Sequence, residues 1–531
     1  MGANSRITKH CLIHSTSTTE ITFGEMPYAD GARFDLEKQC LPGTCIEILE
    51  EISHWVNSGS SDVSRIFFLS GVAGSGKSAI AHTIAKQFDD IGHLGSSFCF
   101  DRSHLADRNP SNLFSTVTQD LADLDAAWKL SLWNVIKGKK ALCKTCSPKE
   151  QFEKFVVEPC GTLKSVGPIV IVIDALDECG GPASRKGLLS ILAKRVVELP
   201  SNFRILVTAR PEKDIQDALG ENKYVTCKYM HSIDPGSANA DISIFLHKQL
   251  ASVVGAGKFI EPLVQKSEGL FQWAFTACQF ITGHGTIGLE PAEKFQMLMS
   301  SESQNETLGP LDSLYSTVLE QIVGQDPKSM DRWRAVMGRV LTVKQPLPVS
   351  ALRALGDNND SIDITGSILQ GLGSLLSGIS EEHVPIQPLH TSLRDFLTDV
   401  NRSGRLYVDI TAQHSKLALA CLKCMNAPTG LQFNICRLKT SHVRNDEVLD
   451  LSVRLKENVP FHLAYSCQFW IVHVQETQFD VQIENCIREF LFENLLYWFE
   501  VLSLNKAVTV AITGLPMVEQ WCKVSLGPQL L

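Results

Sequence analysis

The segment with the clearest chemical content is Gly71-Val-Ala-Gly-Ser-Gly-Lys-Ser78, which fits the phosphate-loop pattern G-x-x-x-x-G-K-S/T at every specified position. Its glycines let the backbone turn consecutive N–H groups towards phosphate oxygens. Lys77 is expected to reach the β- and γ-phosphates, and Ser78 is expected to ligate Mg²⁺. The segment therefore predicts binding of a nucleoside diphosphate or triphosphate. The predicted nucleotide-binding residues in it are Gly71, Gly74, Ser75, Gly76, Lys77, Ser78 and Ala79.

Acidic residues follow a second apolar run, where Ile169-Val-Ile-Val-Ile173 leads into Asp174-Ala-Leu-Asp-Glu178. A carboxylate at the C-terminal end of a buried parallel strand points into the crevice where nucleotides bind. We therefore expect Asp174 to lie on the Mg²⁺ side of the nucleotide, and Asp177 or Glu178 to polarise the attacking water. Many nucleotide hydrolases have Glu directly after this Asp. Here the position holds Ala175, which predicts slow hydrolysis.

A third apolar run, Phe203-Arg-Ile-Leu-Val-Thr208, leads into Ala209-Arg-Pro211. A residue that precedes proline is biased away from the helical region, so Arg210 is expected to project from a strand end into the same crevice. Guanidinium groups pair bidentately with phosphate oxygens. Arg210 is therefore a candidate γ-phosphate sensor, and it joins Asp177 and Glu178 as a candidate catalytic residue.

These residues require a sheet whose strands all end at one edge. The apolar run Ile66–Leu69 precedes the phosphate loop, and the pattern of Ala79–Phe88 predicts a helix after it. Two more strands are predicted at Ser97–Phe100 and Tyr224–Tyr229. The sequence therefore predicts an α/β P-loop nucleotide-binding domain with a parallel five-stranded sheet and right-handed crossovers, followed by mostly helical domains.

Composition restricts the classes of partner. The 531 residues carry 49 basic and 58 acidic side chains, with no long run of either sign, which disfavours a nucleic-acid-binding surface. No apolar stretch approaches membrane-spanning length, and the N-terminus lacks the apolar core of a signal peptide. The sequence thus predicts a cytoplasmic protein with no membrane span, no nucleic-acid partner, and 16 reduced cysteines.

The motifs resemble those of the NACHT branch of the STAND signalling ATPases, and more narrowly those of fungal NACHT proteins, also described as nephrocystin-3-like N-terminal domains. The likeness spans about residues 25–505. Beyond the three motifs above, the segments that carry it are Pro27–Ala32, Cys40–Thr44, Gly95–Asp101, Pro388–Leu397 and His462–Trp470.

This resemblance implies a nucleotide switch related to the NOD-like receptors, with ATP or ADP and Mg²⁺ as cofactors. ADP would hold a closed monomer, and exchange for ATP would release it to assemble as a homo-oligomer with protein partners that the sequence does not identify. The predicted division is a disordered leader over residues 1–35, a NACHT domain over 36–229, a helical lid over 230–305, a winged-helix domain over 306–400 and a helical arm over 401–531.

The resemblance also implies two further nucleotide contacts. In relatives a histidine of the winged helix touches the β-phosphate of ADP, and the matching residue is His390. By the same analogy the loop that contains Pro42 lies near the adenine. The lid departs from the family pattern, since Gly269-Leu270-Phe271 replaces Gly-Leu-Pro and offers an aromatic ring in place of the proline.

Two other functions are compatible with the phosphate loop. One is a P-loop enzyme with a second small-molecule substrate, although the sequence shows no separate substrate motif. The other is a scaffold that binds nucleotide for stability and does not switch. A GTPase is disfavoured because the guanine-reading pattern N/T-K-x-D is absent: Asn222-Lys223 is followed by Tyr224-Val225.

Overall fold

A five-stranded parallel sheet organises the N-terminal part of the chain in the computed structural model, which describes residues 23–525 except 25, 60–62, 164–166, 284–288, 301–308, 325, 357–363, 380 and 441. The strand order is β2-β3-β4-β1-β5, and all neighbouring strands are parallel. This confirms the predicted fold class. The strands are Ile66–Ser70 (β1), Leu94–Cys99 (β2), Ile169–Asp174 (β3), Phe203–Ala209 (β4) and Val225–Tyr229 (β5).

The three central strands are buried along their whole length because helices cover both faces of the sheet. Successive side chains of a strand point to opposite faces. Accordingly Ile169, Ile171 and Ile173 belong to one apolar core, while Val170 and Val172 belong to the other. The sheet thereby fixes the edge at which β1, β3 and β4 end.

Helices connect the strands and flank the sheet. After β2 the chain passes through a short 3₁₀ turn at Arg102–His104, and after β3 through another at Leu176–Glu178. A π-helical segment, Phe152–Val157, lies in the long β2–β3 connection. The α-helices of this part are Ile46–Asn57 (α1), Lys77–Asp90 (α2), Pro110–Leu124 (α3), Ala126–Ile136 (α4), Lys140–Cys143 (α5), Pro148–Gln151 (α6), Glu158–Cys160 (α7), Pro182–Lys194 (α8) and Lys213–Leu219 (α9).

The rest of the chain is helical and shares one continuous apolar core, which runs from Ile242 to Val518. A small antiparallel sheet interrupts it, with Leu347–Pro348 (β6), Leu376–Ser377 (β7) and Pro385–Pro388 (β8) in the order β6-β8-β7. The helices are Pro235–Gln249 (α10), Gly257–Ser267 (α11), Phe271–Thr282 (α12), Pro291–Ser300 (α13), Pro310–Ile322 (α14), Pro327–Thr342 (α15), Val349–Ala354 (α16), Ile364–Gly371 (α17), Thr391–Leu397 (α18), Val400–Ser403 (α19), Ile410–Asn426 (α20), Leu451–Asn458 (α21), Phe461–Gln475 (α22), Val481–Glu493 (α23), Leu495–Leu504 (α24) and Thr509–Ser525 (α25).

The predicted disordered leader, residues 1–35, lies mostly outside the described residues, but its last part is packed. Met26, Ala29 and Ala32 are buried in the core on one face of the sheet. The Ala29 amide donates to Thr116 Oγ1 at 3.0 Å, and the Cys99 amide donates to the Ala32 carbonyl at 2.7 Å. These residues of the predicted leader therefore contact the sheet domain, and the boundary at residue 36 stays a prediction. None of the described helices has both the length and the apolar character needed to cross a membrane.

Candidate nucleotide-binding site

The phosphate loop lies between β1 and the N-terminus of α2, as its sequence pattern predicts. Gly74 and Gly76 have φ angles of 80° and 94°, in the left-handed region that a side chain makes costly. The helix begins directly at Lys77, so the N–H groups of its first turn face the loop. Ser78 is exposed and Ala79 is half-buried in that first turn, while the buried Ser75 donates from Oγ to the Val72 carbonyl at 2.9 Å. The backbone thus forms the anion-binding concavity that the motif predicts.

Lys77 is buried at the bottom of this loop. Its Nζ donates to the carbonyls of Gly71 at 2.8 Å and Val72 at 3.0 Å. Burial lowers the pKa of the Lys77 ammonium to about 8, although the carboxylates of Asp177 and Asp174 act to raise it. These carboxylates therefore lie within electrostatic range of Lys77, and the predicted residues of β3 and of the phosphate loop share one crevice.

The N-terminus of α12 covers the phosphate loop. The Gln272 amide donates to the Gly74 carbonyl at 3.1 Å. A Cβ atom at Gly74 would lie 2.6 Å from Gln272 Cβ, and one at Gly71 would lie 2.6 Å from Met230 Cγ, so both positions require glycine. Phe271, which stands where the family pattern has proline, lies next to Gly76. The helical segment after the sheet is therefore a direct neighbour of the phosphate-binding backbone.

Asp174 ends β3 with its side chain held from two sides. Its Oδ1 accepts a hydrogen bond from Thr208 Oγ1, and its Oδ2 lies 4.0 Å from His82 Nε2. The Asp35 amide donates to His82 Nδ1 at 2.9 Å, so in the neutral ring Nε2 carries the proton and faces the carboxylate. His82, Cys99 and Asp174 lie close together. Both ring nitrogens of His82 are engaged, so the histidine orients Asp174 and has no free lone pair for a metal.

The second acidic pair meets Arg210 at the end of β4. The Arg210 amide donates to Asp177 Oδ1 at 3.0 Å, and its Nε lies 3.2 Å from Asp177 Oδ2. Its Nη2 lies 3.9 Å from Glu178 Oε1. The structure thus brings the three predicted catalytic residues together.

The Arg210 guanidinium also reaches across to α18. Its Nη2 donates to Thr391 Oγ1 at 2.7 Å, and its Nη1 donates to Asp395 Oδ2. Arg210 and Asp395 are each 19% exposed, so much of this ion pair is removed from solvent. The residue predicted to sense the γ-phosphate therefore links the sheet domain to the helical part of the chain.

His390 precedes α18, and its ring orientation is set by a chain of hydrogen bonds. Nδ1 accepts from the Ser392 amide at 3.2 Å and contacts Ser392 Oγ at 2.6 Å, while Tyr315 Oη lies 2.8 Å from the same hydroxyl. Burial lowers the pKa of His390 to about 3, and the charges of Arg210 and Lys77 act in the same direction. The ring is thus neutral near pH 7, with its proton on Nε2 and its position close to Lys77.

Pro42 is exposed in a turn closed by the Thr44 amide, which donates to the Leu41 carbonyl at 3.0 Å. The following residue, Cys45, donates its amide to Asp241 Oδ2 of α10 at 2.8 Å. This loop therefore connects α1 to the first helix after the sheet. The contact of Pro42 with an adenine stays a prediction.

Residues 43–210, from the turn before α1 to Arg210, match the family model described as Nephrocystin 3, N-terminal. The chain therefore contains a P-loop domain that matches this family, called the NACHT domain below. Over 384 residues, 66% of the chain, it is 24% identical to the vegetative incompatibility protein HET-E-1 of Podospora anserina. The match spans 26% of that protein's length.

A solved structure of a STAND protein with a tetratricopeptide repeat sensor, from Pyrococcus horikoshii, is also similar to this chain. The match covers 90% of this chain and 63% of that chain, at 14% identity and a TM-score of 0.36.

The NACHT domain contains two arginines that sequence analysis missed. Arg102, just after β2, donates from Nη1 to Asp395 Oδ1 at 3.1 Å, so Asp395 is shared between Arg102 and Arg210. Arg185 of α8 is fully buried and donates from Nη1 to the Asp177 carbonyl at 3.2 Å. Neither residue stands in a recognisable motif. The one indication for Arg102 in the sequence is its position just after the strand predicted at Ser97–Phe100.

Glu178 of the NACHT domain is buried, and burial together with the charge of Asp177 raises the pKa of its carboxyl to about 8. A carboxyl whose folded-state pKa is raised stabilises the fold fully below its unfolded-state pKa, and this contribution is lost as the pH rises through the folded-state value. In the absence of nucleotide we therefore expect the native protein to lose stability between about pH 5 and about pH 9. We expect Glu178→Gln to show no such loss.

Urea denaturation of the nucleotide-free native protein and of Glu178→Gln across that range measures this difference. Glu489→Gln, on the distant helix α23, is the matched control and is expected to follow the native curve. Parallel stability curves for the native protein and Glu178→Gln would contradict a raised pKa at Glu178.

Proposed function

We propose that this chain is a nucleotide-controlled signalling switch. ADP favours a closed arrangement, in which α18 contacts the NACHT domain as described above, and exchange for ATP opens this contact. The observation that carries the proposal is the double contact of Arg210, with Asp177 in the sheet domain and with Asp395 and Thr391 in α18. A γ-phosphate in this crevice would compete with Asp395 for the same guanidinium. Nucleotide identity would thereby be coupled to the contact between the two parts of the chain.

His390 supports the preference for a closed ADP form. Its Nε2–H is a neutral donor and has no hydrogen-bond partner among the described residues, and the ring lies within electrostatic range of the Lys77 ammonium. In this proposal it donates to a phosphate oxygen of ADP from the helical side of the crevice. The nucleotide would then be held by both parts of the chain at once.

The donor set at the phosphate loop fits Mg²⁺, since the exposed hydroxyl of Ser78 and the carboxylate of Asp174 are the hard oxygen ligands that this ion prefers. Bound Mg²⁺ would neutralise charge on the phosphates. Asp177 and Glu178 are the proposed groups that orient water; Asp177 Oδ2 is buried and makes no hydrogen bond, although Arg210 Nε lies 3.2 Å from it. A Glu178 carboxyl that holds its proton up to about pH 8 is a poor base near pH 7, which is consistent with slow hydrolysis.

We further propose that the chain acts in the cytoplasm, where ATP and ADP are available, and that opening leads to homo-oligomers. The division into a lid, a winged-helix unit and an arm remains part of this proposal. The small antiparallel sheet next to α15 and α18 supports a winged-helix unit.

Replacement of His390 by leucine is expected to weaken ADP binding about tenfold, because one hydrogen bond to a charged phosphate is lost. It is also expected to increase the fraction of protein that elutes at higher mass. Calorimetric titration with ADP and size-exclusion chromatography with light scattering measure the two effects. His390→Gln retains an N–H donor and is expected to keep part of the affinity.

The matched control is His383→Leu, at an exposed histidine in the turn between β7 and β8. Unchanged ADP affinity and an unchanged mass profile in His390→Leu would contradict the assignment. A stable monomer whose melting temperature alone depends on nucleotide would favour a scaffold. Rapid turnover stimulated by one small molecule would favour a metabolic enzyme.

A further inference from the structure

A cavity of about 320 Å³ lies between the NACHT domain and α18, beside the nucleotide crevice. Its wall contains Arg102, Asp177, Arg185, Glu212 and Arg394, and no residue of the phosphate loop. This volume is far larger than the roughly 15 Å³ that one water needs, so it has room for a small ion with part of its hydration. The cavity is therefore a separate polar compartment at the contact between the two parts of the chain.

Arg394 is the unbalanced group in this cavity. Its guanidinium makes no hydrogen bond or ion pair with any described residue, although Asp395 and Glu178 lie within electrostatic range. Burial lowers the pKa of Arg394, and the charge of Arg102 on the opposite side lowers it further. Two guanidinium groups thus line one cavity, and their mutual repulsion is only partly offset by Asp395, to which Arg102 donates.

The other charges of the wall are already paired. Arg185 donates from Nε to Asp214 Oδ2 at 2.7 Å and from Nη2 to Glu212. Asp177 is paired with Arg210. The carboxylates of Asp177 and Glu212 therefore do not neutralise Arg394. They do repel a fully deprotonated anion, which cannot donate a hydrogen bond to them.

We propose that this cavity binds inorganic phosphate, held mainly by Arg394 and Arg102. Phosphate matches the mixed wall because its anionic oxygens accept from guanidinium groups while its protonated oxygen donates to a carboxylate. Sulfate has the same shape and no proton near neutral pH, so it satisfies the arginines alone. A phosphate ion here would stabilise the contact between the NACHT domain and α18, independently of the nucleotide in the phosphate loop.

The test is calorimetric titration of inorganic phosphate into the full chain saturated with ADP, with sulfate as the comparison ion. We expect phosphate to bind, sulfate to bind at least several-fold more weakly, and Arg394→Gln to weaken phosphate binding at least tenfold. Arg488→Gln, at an exposed arginine of α23, is the matched control and is expected to bind as the native protein does. Arg394→Lys, which keeps the charge without the planar fork, is expected to recover part of the affinity.

ADP retained by each variant shows that the fold and the phosphate loop are intact, so loss of the phosphate site is distinguished from loss of the proposed switch. No phosphate binding by the native protein, or equal binding by Arg394→Gln, overturns the proposal. If Arg210→Ala abolishes phosphate binding and Arg394→Gln retains it, the ion lies at the γ-phosphate position of the nucleotide site. That result overturns the proposal as well.

Discussion

Replacement of Lys77 by alanine is expected to abolish retention of nucleotide through purification and to weaken ADP binding at least about 100-fold. The ammonium lies at the bottom of the phosphate loop and would exchange its bonds to the Gly71 and Val72 carbonyls for charge-assisted bonds to phosphate oxygens. No other described lysine reaches the interior of the loop. Chromatography of the nucleotide released from denatured protein measures retention, and calorimetry with ADP measures affinity.

Lys86→Ala is the control for this substitution. Lys86 lies on the same helix, but its half-buried side chain points away from the loop to pair with Asp90. This variant is expected to retain nucleotide as the native protein does. Full retention of ADP by Lys77→Ala would contradict the assignment of the phosphate loop.

Replacement of Asp395 by alanine is expected to weaken the contact between the NACHT domain and α18 by about 2 kcal/mol, because it leaves two arginines without their shared carboxylate. Arg102 and Arg210 both donate to Asp395, and the pair with Arg210 is largely removed from solvent. The expected results are a larger radius of gyration in solution scattering, faster limited proteolysis near α18, and a higher affinity for ATP relative to ADP.

Asp331→Ala provides the comparison, since Asp331 is an exposed carboxylate that pairs with Arg334 at the surface. It is expected to change none of the three measurements. An Asp395→Ala protein with the native radius and the native ratio of ATP to ADP affinity would show that the ion pair with Arg210 does not couple nucleotide to closure.

The sheet and most of the crevice could be predicted from the sequence because local patterns determine them. The uninterrupted apolar run Ile169–Ile173 predicts a strand covered on both faces, and a phosphate-loop motif requires a strand before it and a helix after it. Asp174, Asp177 and Arg210 follow from the same logic, since parallel strands end at one edge of a sheet. The contact between Asp177 and Arg210 is one that this shared edge imposes.

Contacts between segments that are distant in sequence could not be predicted in this way. Gln272 covers Gly74 from almost 200 residues away, and Asp395 pairs with Arg102 across 293 positions. No periodicity in the sequence reports such a pairing. The packed segment around Met26 was missed for a related reason, since its short turn-rich stretch is held by the sheet domain and not by its own helical or strand pattern.

The most direct test of the central claim is hydrogen–deuterium exchange of the α18 amides, residues 391–397, in protein loaded with ADP and in protein loaded with a non-hydrolysable ATP analogue. Amides of a helix held against a partner surface exchange slowly, and local opening increases their exchange. If nucleotide identity controls the contact of Arg210 with Asp395, these amides are protected with ADP and exchange faster with the analogue, while the β3 amides stay protected in both. Equal exchange of the α18 amides in the two nucleotide states would contradict the account.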